Sequence, residues 1–166
     1  MTYRQDAAAQ YRVAVPRAER RHPWLRHLFD MYALVDASVR EALAAAGESG
    51  KRSACAKGCT FCCHQPIPVT PLEVAGLQWY AREEMAPDVL AALRARPEQE
   101  NPAGYAACRF LFGGVCSLYM VRPVACRRFM VFGDACRAGE DVLTTRPHDV
   151  LQPSRAALNA ACARKG

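Results

Sequence analysis

Residues 55–64 read Cys-Ala-Lys-Gly-Cys-Thr-Phe-Cys-Cys-His, four cysteines and a histidine within ten positions. Thiolate sulfur is a soft metal ligand and a strong nucleophile, so this density points to metal or redox chemistry. Cys55, Cys59, Cys62 and Cys63 form a C-x3-C-x2-C-C group, and Cys108, Cys116, Cys126 and Cys136 follow at C-x7-C-x9-C-x9-C spacing. Short spacing lets one loop wrap an ion or cluster, whereas wide spacing needs the fold to gather the ligands. Adjacent side chains of an extended backbone point to opposite sides. Cys62 and Cys63 are therefore expected to face different sites, or one a site and the other the core.

The alternative to ligation is a set of buried thiols. The first ten residues carry an acid and several polar side chains where a secretory signal would have its apolar stretch. The expectation is a cytoplasmic protein, in which a disulfide framework is disfavoured and metal binding is the better account of so many cysteines. Cys162, in an alanine-rich tail, reads as a small packing residue. His64 reads as support for the cluster rather than as a ligand, and His22, His27 and His148 as ordinary polar residues. Tyr119 and Phe129 read as core, and Arg122 with Pro123 as a turn whose guanidinium steadies thiolate charge.

The chain carries a formal charge of +6, which by itself suggests an acidic partner such as nucleic acid. Lys51, Arg52, Lys57, Arg109, Arg122, Arg127, Arg128 and Arg137 all lie within a few residues of a cysteine, however. Eight thiolates around two divalent ions would bring the net charge to about +2 by formal counting. The basic surplus is thus expected to offset the site, and a zinc-based nucleic-acid-binding module ranks last among the readings.

The elements that position these residues read as mainly helical. Tyr3 to Val15 is helix-like, and Arg17 to Arg21 is a solvated connection. Trp24, Leu28, Met31, Tyr32, Val35, Val39 and Leu43 recur at helical spacing, with Pro23 near the start and Gly47 just past the end. Pro66-Ile-Pro-Val is extended. Thr70-Pro71-Leu72-Glu73 is a capping box with proline at the first helical position, opening a helix to about Met85. Pro87 opens another that carries Val89, Leu90 and Leu93 and fades into the polar stretch Pro97 to Gly104. Gly113-Gly114, between Arg109-Phe-Leu-Phe and Val115-Cys-Ser-Leu-Tyr, marks a hairpin. Pro147 to Lys165 is again helix-like, interrupted by Pro153. The expected architecture is a small single-domain helical protein with one or two short strands beside a cysteine-lined metal site. Its parts are an N-terminal helical segment (1–48), a cysteine-cluster region (49–140) and a C-terminal helical tail (141–166). No apolar run reaches the ~20 residues that would span a bilayer.

The first cysteine group, then Cys108-Arg-Phe-Leu, then Gly114-Val-Cys116-Ser-Leu-Tyr119-Met-Val-Arg122-Pro123-Val-Ala-Cys126-Arg127-Arg-Phe129, resemble the bacterial cysteine-cluster family of zinc- or iron-chelating proteins. Glu73 matches the early glutamate of the helix after the double cysteine in that family. The resemblance spans about Cys55 to Cys136 and implies that the eight cysteines of the two groups are ligands and that Cys162 is not. A similar cysteine domain occurs in flagellin lysine methylases, which are associated with an iron-sulfur cluster; this chain is much shorter, and methylation is not carried over. Cys55-x3-Cys59-Thr-Phe61-Cys62 also fits the radical S-adenosylmethionine pattern, but the alternating strands and helices of that barrel are missing.

The leading reading is a metal-binding protein holding an iron-sulfur cluster, slightly preferred, or zinc, in metal handling, electron transfer or protein modification. A protein partner would fit such a role. The alternative is a cluster-dependent modifying enzyme or maturation factor. No independent catalytic motif is found among triads, paired carboxylates, phosphate loops or dinucleotide fingerprints.

Overall fold

The computed structural model describes residues 17–56, 58–97 and 107–151. The expected helix Tyr3 to Val15, Lys57, most of the stretch Pro97 to Gly104, the tail beyond residue 151 and Cys162 lie outside them. Within them the protein is helical, with a single two-stranded antiparallel sheet.

Arg17 to Arg21, expected as a connection, is a short helix, α1 (Ala18–Arg21), because Ala18 is buried in the core. Its end is held by Glu83, whose carboxylate lies 3.3 Å from Arg21 and 2.9 Å from His22. The periodic apolar segment forms α2 (Leu25–Glu48), which buries Leu25, Leu28, Phe29, Met31, Tyr32, Val35 and Val39. It runs past Gly47, because the residue that stops it is Gly50. At φ +78° Gly50 donates to Gly47 O at 2.9 Å, while Lys51 donates to Ala46 O at 2.9 Å. This reciprocal pair satisfies two carbonyls of the last turn and needs a left-handed residue, which glycine supplies without a Cβ penalty.

The capping box is present at the start of α3 (Pro71–Glu83). Thr70 Oγ1 accepts from the Glu73 N–H at 3.3 Å, and Glu73 Oε2 accepts from the Thr70 N–H at 2.7 Å. α3 meets α2 at Gly76, where a Cβ would overlap the buried Leu28 side chain. Trp79 packs edge-on against Phe29 at 6.1 Å between ring centroids. α4 (Pro87–Ala95) follows, with Leu93 buried. Strands β1 (Leu111–Phe112) and β2 (Val115–Cys116) pair with Leu111 opposite Cys116. The turn residues Gly113 and Gly114 have φ of +56° and +75°, as a two-residue turn with the twist of the strands requires. A guanidinium N–H of Arg96, just after α4, donates to Leu111 O.

After a 3₁₀ turn at Tyr119–Val121 comes α5 (Val124–Arg128), packed against α2. Three extended segments then lie side by side. Ala54 donates to Val131 O at 2.7 Å and Gly133 to Arg52 O at 3.0 Å; on the other side Phe132 donates to Asp149 O and Leu151 to Met130 O, both at 2.8 Å. The chain returns through α6 (Val142–Thr145) and a 3₁₀ turn at Pro147–Asp149. The start of the expected tail helix is thus this turn followed by extended Val150, because the residue is drawn into pairing with Val131. Val131, Val142 and Val150 form a second small core. No helix among the described residues is long and apolar enough to cross a membrane.

Candidate metal centre

Two backbone staples join the cysteine regions that the sequence separates. One is the pairing of residues 52–54 with 131–133, which sets Cys55 beside Val131; the Val131 N–H donates to Cys55 Sγ at 3.3 Å. The other is Cys108 N–H donating to Cys63 O at 2.7 Å. Between the staples, Gly58 at φ +89° turns the loop back so that Cys59 N–H reaches Ala56 O at 3.0 Å. All eight cysteines of the two groups are free thiols and partly buried.

The doubled cysteine is not extended. Phe61–His64 is a 3₁₀ turn, closed by Cys63 N–H to Thr60 O at 2.9 Å. Cys62 and Cys63 therefore follow one another around a turn rather than standing on opposite faces of a strand, and the Cys63 thiol pushes the pKa of Cys62 up. His64 ends the same turn, half-buried.

The Tyr119 to Arg127 segment owes its composition to packing. Tyr119, expected in the core, is half-buried and carries the Arg122 guanidinium 4.4 Å above its ring. Pro123 precedes α5, whose first N–H, that of Val124, donates to Glu73 Oε1 at 2.7 Å. The two oxygens of Glu73 thus cap two helices, α3 and α5. Arg127 does not face the thiols, as its position beside Cys126 suggested. It is fully buried and paired with Asp36 of α2 at 2.7 Å, with further bonds to the carbonyls of Arg122 (2.8 Å) and Met120 (2.6 Å) and the Tyr32 ring 4.0 Å away. On a five-residue helix, one position therefore anchors the core and its neighbour presents sulfur. Sequence reasoning missed Asp36, although its signal is legible: an acid one turn after Tyr32, inside the apolar stripe of α2, is a buried charge that requires a partner.

Around the thiols, burial is the main influence on ionisation, followed by the thiols themselves. Burial pushes Cys55 up to about 11, against the Val131 N–H and reinforced by Cys59, Cys62 and Cys136. Burial likewise raises Cys116 to about 11, reinforced by Cys108 and Cys62, and Cys126 to about 12, reinforced by Cys62, Cys116 and Cys108. The hydrogen bond to Cys63 is the largest cause raising Cys62, and burial is the largest cause raising Cys136. Two guanidiniums oppose this: Arg122 favours the Cys126 thiolate, and Arg146 the Cys136 thiolate. Arg146, which the sequence reading overlooked because ten positions separate it from Cys136, is held by Glu140 at 2.8 Å and Asp149 at 3.4 Å.

Thiols of both groups thus bear on one another's ionisation, although no three Cys, His, Asp or Glu side chains among the described residues form a group at metal-holding spacing. A family model described as CxxCxxCC, "putative zinc- or iron-chelating domain", matches residues 54–154. The chain belongs to this family. No curated protein and no solved structure matches it. Zinc or iron chelation is therefore the coarse function of the CxxCxxCC domain, and the donor set fits it. Buried thiols that disfavour one another's ionisation are relieved by a soft cation replacing their protons.

Metal-free protein is expected to lose stability as pH rises from about 9 to about 11. The folded thiols at about 11 keep protons that unfolded cysteines, near 9, release. The unfolded chain then binds fewer protons, and the slope of stability with pH is negative, on the order of 1 kcal/mol per pH unit for each thiol. The full contribution is present below pH 9. Urea midpoints measured across this window check it, and a flat profile refutes it.

Proposed function

We propose that this protein binds iron or zinc in the cytoplasm through Cys55, Cys59, Cys62, Cys63, Cys108, Cys116, Cys126 and Cys136, acting in metal handling or electron transfer. The observation that supports the reading is that backbone hydrogen bonds from Ala54 to Val131 and from Cys108 to Cys63 join the two cysteine-bearing regions within the stretch that matches the chelating family. Each bound thiol would release its proton to solvent and act as thiolate. Iron with inorganic sulfide is preferred over zinc on the all-cysteine ligand set and the C-x3-C-x2-C spacing, while the Arg122 and Arg146 guanidiniums beside Cys126 and Cys136 would offset the negative charge of either thiolate centre. When bound, such a cluster supplies one-electron redox chemistry; zinc would supply structure alone.

Purification without oxygen, followed by elemental analysis and absorption spectroscopy, tests this. Stoichiometric iron and acid-labile sulfide with broad visible absorption are expected. Colourless protein with stoichiometric zinc would replace iron with zinc, and protein that takes up neither metal would sink the reading.

A further inference from the structure

The loop that follows Cys136 is folded around one carboxylate. Glu140 Oε2 accepts from the Arg137 N–H at 2.8 Å, and Oε1 accepts from the Thr145 hydroxyl at 3.1 Å. The Arg146 guanidinium forks across both oxygens, with Nε 2.8 Å from Oε1 and a terminal nitrogen 3.4 Å from Oε2, and its other terminal nitrogen donates to Asp149 at 3.4 Å. The Glu140 and Arg146 side chains are only 12 % and 17 % exposed, so the pair is not one of the solvated surface bridges that hold little. Two features tie this loop to the first cysteine group. Its Val142 completes the small core with Val131 and Val150, against which both Cys55 and Cys136 pack. Its Glu140 carbonyl accepts from the side-chain amide of Gln65 at 3.4 Å, and Gln65 directly follows the turn that carries Cys62, Cys63 and His64.

From this geometry we infer that residues 137–149 form a clasp and that Glu140 and Arg146 are positioning residues of the chelating domain: through Val142 and Gln65 they hold Cys136 against the segment that carries Cys55, Cys62 and Cys63. Cys136 needs such a device because it stands in irregular chain, between the paired residues Val131 and Phe132 and the turn at Ala138 and Gly139. A thiol outside helix and strand keeps its place only if side chains around it fix the chain, and groups that orient a metal-binding residue matter to affinity nearly as much as the residue itself. Glu140 does this by joining the start of the loop at Arg137 to its end at Arg146, while the Arg137 carbonyl accepts from the Glu140 N–H at 3.1 Å. Arg146 is then more than a cation near Cys136. Its planar fork spans two carboxylates at once, which the single point charge of a lysine does not reproduce. Charge and clasp therefore make different predictions for the same substitution.

The inference rests on the metal-binding reading, and its test separates the two. Full-length Glu140→Gln, Arg146→Lys and Gln65→Leu chains are compared with wild type in two measurements, the alkylation rate of each cysteine in metal-free protein and the zinc dissociation constant by competition with a chromophoric chelator. In Glu140→Gln and Arg146→Lys, alkylation should speed up at Cys136 and stay near the wild-type rate at Cys116 in the hairpin, and zinc should bind about tenfold more weakly, the cost of losing a group that orients a ligand. Gln65→Leu should shift both readings the same way by a smaller factor. In a variant that keeps a cooperative urea transition, a uniform rise in alkylation at every cysteine shows general loosening and overturns the clasp. Unchanged zinc affinity, or Arg146→Lys behaving as wild type, overturns it as well and leaves metal binding intact. Wild-type chain that takes up neither zinc nor iron overturns the metal-binding reading and the inference with it. Should Glu140→Gln fail to fold, Arg146→Lys and Gln65→Leu decide by the same readings.

Discussion

Arg127→Met is expected to destabilise the protein by about 3–5 kcal/mol, the cost of leaving a buried charge without its partner. Asp36 is only 3 % exposed and Arg127 not exposed at all. The methionine fills much of the volume but leaves the Asp36 carboxylate, and the carbonyls of Met120 and Arg122, without the guanidinium. Chemical denaturation of metal-free protein measures the loss. The double variant Asp36→Leu/Arg127→Met should recover most of it, because replacing both partners removes the desolvation cost together with the attraction. A loss below about 1 kcal/mol in the single variant would mean that the pair does not lock α5 to α2. Since Cys126 is the adjacent residue, the single variant should also bind metal more weakly.

Glu73→Ala should cost about 3 kcal/mol or more, since it removes two hydrogen bonds to a charged group in a buried setting. Glu73 is 2 % exposed, and its oxygens accept from Thr70 at the start of α3 and Val124 at the start of α5. Glu73→Gln separates the capping role from simple packing. The amide keeps the shape, but its NH2 group must face one of the two backbone N–H donors. Glutamine is therefore expected to behave closer to alanine than to glutamate. A glutamine variant as stable as wild type, by urea midpoint, would show that one of the two caps is dispensable.

These two residues show what the motif around Cys126 is made for. Read as a string, Arg122 and Pro123 form a turn that steadies thiolate charge, and Arg127 is one more cation beside the cysteines. In the fold, Arg127 anchors the core and Pro123 opens a helix capped from a distance by Glu73. Only Arg122 keeps the expected electrostatic role, beside Cys126 and over Tyr119.

Features set by neighbours along the chain were legible without the structure. The apolar periodicity of α2, the capping box of α3, the proline start of α4 and the glycine turn of the hairpin each depend on residues a few positions apart, and each forms. The cysteine motif was legible for the same reason, and the chelating-domain family model matches the stretch 54–154 that carries it. The stop of α2 was displaced from Gly47 to Gly50 because a left-handed residue must follow the last turn rather than merely lie near it. What only the tertiary structure decided is whatever spans distance in sequence: Asp36 meeting Arg127 across 91 positions, Glu73 meeting Val124 across 51, Cys55 beside Val131. The grouping of the thiols belongs to this second kind. The identities of the sulfurs follow from the sequence, but their neighbours follow from which segments pair, and pairing is settled by burial and backbone hydrogen bonding over the whole fold.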